Sequence, residues 1–171
     1  MGINKQDLLD YVIIPSLEQI DLESTSADLL LLGTAELETN CGTYLVQHGG
    51  GINTSLAVSI YQLEVVTFKD ILLRFLQLKK YKKLKEKIES IYSIKTLKIK
   101  HDQLWNKLVT DLSFSTVIAR LKYYMIPSPL PVYTDYVGLA EYYKKYYNTA
   151  LGKTSLEKAI SVFKDIVEEF A

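Results

Sequence analysis

Apolar residues recur at helical spacing along almost the whole chain. Leu8, Leu9, Val12 and Ile13 make the first stripe, and Asn4 is placed to cap it with Asp7 in the first turn. Pro15 is expected to end or kink that helix, with a short second piece through Leu17 and Ile20. Ser24, Thr25 and Ser26 are the next cap candidates, ahead of a helix from Ala27 to about Glu38 with Asp28 near its positive end. Its leucines, Leu29 to Leu32, cover more than half the circumference, which marks a central helix and not a surface one. Asn40, Cys41 and Gly42 read as the turn that ends it.

Further along, Thr67 and Asp70 form a variant capping box for a helix from Phe68 to about Leu78. Lys79 to Lys87 is basic, but Glu86 and Glu89 interrupt the run. With Leu84, Ile88 and Ile91 this predicts an amphipathic surface helix, a peripheral element over 79–92. A solvated lysine face is the plain reading of it, and contact with an anionic polymer the alternative. Asp102 is placed to cap a helix through Trp105, Leu108 and Val109. Ser113 or a neighbour starts another, with Phe114, Val117, Ile118, Leu121 and Tyr124. Pro127, Pro129 and Pro131 stop it in an extended loop. Thr134 and Asp135 restart a helix that breaks near Gly152. Thr154 with Glu157 opens the last, Ser155 to about Phe170, whose apolar face is Ile160, Phe163, Ile166 and Val167. That C-terminal helix, 154–170, is also expected to be peripheral. Strand signal is confined to a short hairpin at most, between Gly42 and Ile60. The class is mainly α.

A chain of 171 residues with 48% hydrophobic and 23% charged residues is expected to form one globular domain, 1–171, with a proper core. Its formal net charge of zero gives no global attraction to nucleic acid or a membrane surface. One cysteine, Cys41, excludes an intramolecular disulfide. The N-terminal stretch has charges among its apolar residues and no small-residue cleavage site, so no signal peptide is expected. Gln6 stands where myristoylation needs Ser or Thr. No apolar run approaches about 18 residues, so no membrane insertion is expected. Two histidines without spaced partners make no zinc site, and neither a metal nor another cofactor is expected. Gly49 to Gly51 lack the Lys-Ser/Thr of a phosphate loop and read as a plain loop. Cys41 with His48 or His101 carries no thiol-peptidase signature and reads as a buried structural cysteine.

What points to chemistry is the end of the leucine-rich helix. It delivers two carboxylates, Glu36 and Glu38, toward a glycine-rich loop. Burying a charge is unfavourable unless the site uses it. The two project about 200° apart, so only one can face a shared cleft. Glu38 continues the face of Leu31, Thr34 and Ala35, whereas Glu36 continues that of Leu29, Leu32 and Gly33. Geometry alone does not choose between them.

Three segments, in order, resemble the lysozyme-like soluble lytic transglycosylases. Ala35-Glu36-Leu37-Glu38-Thr39 resembles the helix-terminal Glu-Ser pair of that family. Ser59-Ile60-Tyr61-Gln62-Leu63-Glu64-Val65-Val66-Thr67 resembles its Gly-Leu-Met-Gln-Leu-Met-Pro-Ala-Thr segment. Tyr147-Asn148-Thr149-Ala150-Leu151-Gly152 is similar to its Tyr-Asn-Ala-Gly stretch. Thr39, Ser59 and Val65 replace the family's serine, glycine and proline. The aromatic-rich C-terminal region is also similar to small phage-encoded members.

The resemblance implies a lysozyme-like helical domain and a muramidase of lytic transglycosylase type. It puts Glu38, not Glu36, in the catalytic position, and Gln62, Tyr61, Tyr147 and Asn148 in the sugar cleft. A peptidoglycan glycan strand is the implied substrate and other virion proteins are candidate partners. The implied location is the phage virion, or the host cytoplasm before lysis. One carboxylate suffices for transglycosylation, and Glu64 is the candidate second carboxylate for ordinary hydrolysis. Bland readings stand beside these: a helix-end carboxylate bonded to a loop amide for Glu38, a helix-start carboxylate for Glu64, a loop-tying amide for Gln62. The alternative for the whole chain is a virion structural protein that keeps the scaffold with little or no activity.

Overall fold

Stripes of apolar side chains three and four residues apart can be buried only by packing helix on helix. The computed structural model is such an assembly, and it describes residues 2–47, 57–148 and 154–171. Among the described residues there is no strand. Two isolated antiparallel bridges, Val46–Val58 and Val58–Leu63, are all that stands where a short hairpin was the upper expectation. The Gly49–Gly51 loop, His48 and the break near Gly152 lie outside the described residues.

The N-terminal run consists of α1 (Lys5–Leu8), a π-helical segment (Leu9–Ile13) and α2 (Ile14–Glu18). Asn4 caps it, its Oδ1 accepting from the Asp7 N–H at 3.1 Å. Pro15 interrupts the regular α-helix without ending the helical run, and the expected second piece, α2, takes in Leu17 but not Ile20. Pro15 sits in the first turn of α2, and the wider π segment just before it accommodates the ring and the missing donor. Next comes α3 (Thr25–Thr39), where Ser24 Oγ accepts from the Ala27 N–H at 3.2 Å. Leu29 to Leu32 are all buried, so α3 is the central helix. It ends in three successive left-handed residues, Asn40 and Cys41 at φ 51° and Gly42 at φ 88°.

Helix α4 (Val65–Leu73) begins before the expected capping box, with Glu64 in the cap position. Thr67 and Asp70 therefore lie inside the helix, and Asp70 pairs with Arg74 at 2.9 Å. The helix also stops short of Leu78. Two 3-10 turns follow, Phe75–Gln77 and Lys79–Tyr81, held by Gln77 Nε2 donating to the Leu72 carbonyl at 2.7 Å. Then α5 (Lys82–Ile91) buries Ile88 and leaves Lys82 and Lys83 exposed, with Lys85 and Lys87 half-buried, an amphipathic helix as its pattern predicts. In α6 (His101–Thr110) the cap position belongs to Lys100, and Asp102 falls in the first turn. Asp111 Oδ1 caps α7 (Leu112–Tyr124) through the Phe114 N–H at 2.9 Å. Asp135 Oδ1 caps α8 (Tyr136–Tyr143) through the Gly138 N–H at 2.8 Å, and α8 continues as a π-helical segment, Lys144–Asn148.

The C-terminal helix, α9 (Leu156–Phe170), is not peripheral. It packs on both α3 and α8. Its stripe of Ala159, Phe163 and Ile166 is fully buried. Gly33 supplies the gap in α3: a Cβ there would lie 2.2 Å from the Phe163 ring. The small residue directly after the leucine run is what lets the two helices approach.

Asp28, in the first turn of α3, is only 3% exposed, and its Oδ1 has no hydrogen-bond partner. Burial first, then the hydrogen bond and charge of Glu23, push its pKa from 3.8 up to about 7, against the attraction of Arg120. The folded chain thus keeps a proton that the unfolded chain releases, and stability falls as pH rises through that window. Asp28→Asn should melt higher than wild type at pH 8, by a few kcal/mol at about 1.4 per pH unit of the window, and the gain should vanish near pH 3.5. Thermal melts across that range check it.

Candidate functional site

The last turn of α3 sends its two carboxylates apart. Glu36 accepts from Cys41 Sγ at 3.3 Å and pairs with Lys5 Nζ at 3.6 Å, so it ties the helix end to the N-terminal run. Burial, and then Glu36 itself, push the Cys41 thiol up to about 12, which leaves it inert as a nucleophile. Glu38 points the other way and is half-buried. Its Oε1 accepts from the Tyr143 hydroxyl at 2.7 Å, and its main-chain carbonyl accepts from the Tyr44 hydroxyl at 2.6 Å.

Burial holds the Glu38 carboxyl above its usual range. The hydrogen bond from Tyr143, the Lys122 ammonium and the Asn148 side chain oppose that rise, while the charge of Glu64 adds to it. Glu64 itself is exposed, one residue ahead of α4. Its field reaches both Glu38 and Lys122.

The neighbouring turn is fixed to the end of α3 by Thr39. Its Oγ1 donates to the Ile60 carbonyl at 2.8 Å and accepts from the Gly42 N–H at 2.9 Å. Ser59 and Gln62 take left-handed conformations at φ 72° and 45° to make the turn. Gln62 is half-buried and donates its amide to the Ser59 carbonyl at 3.0 Å, so the loop-tying role is the one it fills. Tyr61 is completely buried, and its hydroxyl shares a 3.1 Å hydrogen bond with Thr116 of α7. It offers no surface to a sugar, and the expectation that it lines a cleft is corrected.

Tyr147 needs the same correction. It is 5% exposed, and its hydroxyl donates to the Tyr61 carbonyl at 2.7 Å. Its ring stacks on Tyr143 at 6.1 Å between centroids, with Lys122 Nζ 3.5 Å from its own centroid. Tyr147 therefore builds the wall behind Glu38. Asn148 is half-buried; its Oδ1 accepts from Lys144 at 2.7 Å, and its side chain bears on Glu38 and Tyr143. Of the residues expected in the site, Glu38, Glu64 and Asn148 come together. Tyr147 backs Glu38 and is anchored on the Tyr61 carbonyl, while Gln62 ties its own turn.

Beside this cluster runs a groove of about 570 Å³ between α4, the end of α7 and Tyr146. Val66, Leu73, Met125 and Ile126 give it an apolar wall, with Lys69, Asp70 and Arg74 along its length. Lys122 lines the groove and also acts on Glu38, so it joins the two. Among the described residues, no three His, Cys, Asp or Glu side chains are grouped to hold a metal.

Lys122 and Tyr143 were not singled out by motif, yet the sequence carries a signal for each. Lys122 extends the α7 stripe of Ser115, Ile118 and Ala119, a face otherwise free of charge. Tyr143 lies four residues from both Leu139 and Tyr147, on a stripe that is buried throughout. A charged or hydroxylated residue that continues a buried stripe needs a partner.

The chain matches no protein-family model, no curated protein and no solved structure. No helix among the described residues is long and apolar enough to cross a membrane.

Proposed function

We propose that the chain is a peptidoglycan-cleaving muramidase of lytic transglycosylase type, phage-encoded, with Glu38 as its general acid and then base. The observation that carries this reading is the Glu38 carboxyl. It is half-buried at the end of an apolar helix, raised in pKa, and held by Tyr143, and Lys122 links it to a groove that Glu38 itself does not line. A carboxyl held above its usual range keeps its proton to higher pH than an ordinary glutamate, and a glycosidic leaving oxygen requires that proton.

In the first step Glu38 gives its proton to the bridging oxygen as the C1–O bond breaks. The 6-hydroxyl of the muramic acid residue then attacks C1 and returns its proton to Glu38. The product is a 1,6-anhydro sugar, and no water is consumed. Glu64 is the candidate second carboxylate where hydrolysis competes. The enzyme would act from the virion, or from the host cytoplasm at lysis.

A second reading, a virion scaffold with little or no activity, has one observation in its favour. Tyr61, Gln62 and Tyr147 spend their polar groups on internal bonds, so fewer groups are left to grip a sugar. Incubating the purified chain with isolated sacculi and weighing the released muropeptides separates the readings. Anhydro-muropeptides support the transglycosylase and reducing ends support a hydrolase. No release at all leaves the scaffold.

The Tyr143 bond sets a pH dependence. Its hydroxyl favours the ionised Glu38 carboxylate, so Tyr143→Phe should raise the Glu38 pKa further. A general acid works in its protonated form. The alkaline limb of the pH–rate profile should therefore move to higher pH in Tyr143→Phe, and muropeptide release measured across pH checks the direction.

A further inference from the structure

Lys122 is an uncommon lysine. It is half-buried on the inner side of α7, and its Nζ donates to the Tyr147 carbonyl at 3.1 Å while lying against the Tyr147 ring. It also lines the groove, together with Met125 and Ile126. Two carboxylates from different parts of the chain act on it, Glu38 from α3 and Glu64 from the turn before α4. Burying an ammonium is costly unless it has partners, and here every partner belongs to the candidate site.

We propose that Lys122 is a positioning residue for the Glu38 reaction: its ammonium pins the Tyr147–Asn148 segment beside Glu38 and brings a positive charge to bear on that carboxylate. This rests on the muramidase reading for its purpose but not for its geometry. Asn148, which bears on Glu38, follows directly on the carbonyl that Lys122 holds. The other groups acting on Glu38 are the Tyr143 hydroxyl from α8, the Asn148 amide and the Glu64 carboxylate. Lys122 brings a positive charge to that group. Burial lowers its own pKa to about 8, against the pull of both carboxylates, so it is charged through neutral pH and loses that charge in mild alkali. Its charge favours the carboxylate form of Glu38, the form that must accept the proton in the second step.

Charge and hydrogen bond are separable. Lys122→Gln keeps a donor for the Tyr147 carbonyl and removes the charge, while Lys122→Arg keeps both. The full-length chain, labelled with carboxyl-13C glutamate, is titrated by NMR, with the Glu38 signal assigned by its loss in Glu38→Gln. The Glu38 midpoint should move to higher pH in Lys122→Gln and stay near the wild-type value in Lys122→Arg. The alkaline limb of muropeptide release should move with it. A merely structural lysine would lower activity without moving either midpoint. An unmoved Glu38 titration in folded Lys122→Gln overturns the inference; if that variant does not fold, Lys122→Met serves in its place. Failure of the wild type to release muropeptides, with the Glu38 midpoint still shifted by Lys122→Gln, overturns the muramidase reading and leaves the electrostatic role of Lys122 standing.

Discussion

Glu38→Gln should lower anhydro-muropeptide release by about 10²–10⁴-fold, the range that a positioned general acid contributes. Glutamine has nearly the same shape and can still accept from Tyr143 at the 2.7 Å site, so the contact between α3 and α8 should stay in place. What it cannot do is give up a proton and take one back. Its effect on stability should be opposite in sign to its effect on rate. The folded chain holds the Glu38 proton more tightly than the unfolded chain, so wild type loses stability as pH rises past the ordinary glutamate range. The amide has no such loss. A variant that is inactive yet melts no lower than wild type at pH 7 is the expected pair of results, from initial rates and thermal melts on the same preparation. Full activity in Glu38→Gln would remove the carboxyl from the mechanism.

The largest stability change should come from the contact between α3 and α9. Phe163→Ala is expected to cost about 3–5 kcal/mol, the usual range for emptying a fully packed aromatic site. The Phe163 ring also lies 6.2 Å from that of Tyr143, so the loss should loosen the residue that holds Glu38. Gly33 gives the complementary test. Gly→Ala inside a helix ordinarily stabilises by up to about 1 kcal/mol. Here the new methyl would meet the Phe163 ring at 2.2 Å, so Gly33→Ala should destabilise wild type. In the Phe163→Ala background the sign should reverse. Urea unfolding of the two single variants and the double variant measures the coupling.

Much of this architecture could be read from the sequence because it is local. Asn4, Ser24 and Asp135 each cap the helix that their side chains suggest, whereas the last helix is capped by Ser155 and not by the expected Thr154. The burial of Leu29 to Leu32 follows from a run too apolar to face water. Where the reading failed, a longer-range or competing effect decided. The Thr67–Asp70 box lost to an earlier start at Val65, because the two N–H groups of Thr67 and Phe68 already bond the Glu64 carbonyl. The stripe of α9 looked amphipathic enough for the surface, but Gly33, far away in the chain, opens a slot for Phe163. Tyr61 and Tyr147 were legible as residues near Glu38 but not as buried ones. A tyrosine serves a cleft or a core equally well, and only the partners of its hydroxyl tell which. The choice between Glu36 and Glu38 was likewise beyond the spacing. The structure separates them by their neighbours, Lys5 and Cys41 for one and Tyr143 and Lys122 for the other.

The bond between Tyr143 and Glu38 spans 105 positions of the chain, and that between Tyr147 and Tyr61 spans 86. Contacts so far apart in sequence form late, because the entropy of closing the intervening loop must be met before they give anything back. A growing polypeptide would carry Glu38 well before Tyr143, which follows 105 positions later. The setting of that carboxyl would therefore form only after the α8 region had been made, and shorter translation products would hold Glu38 without its partners.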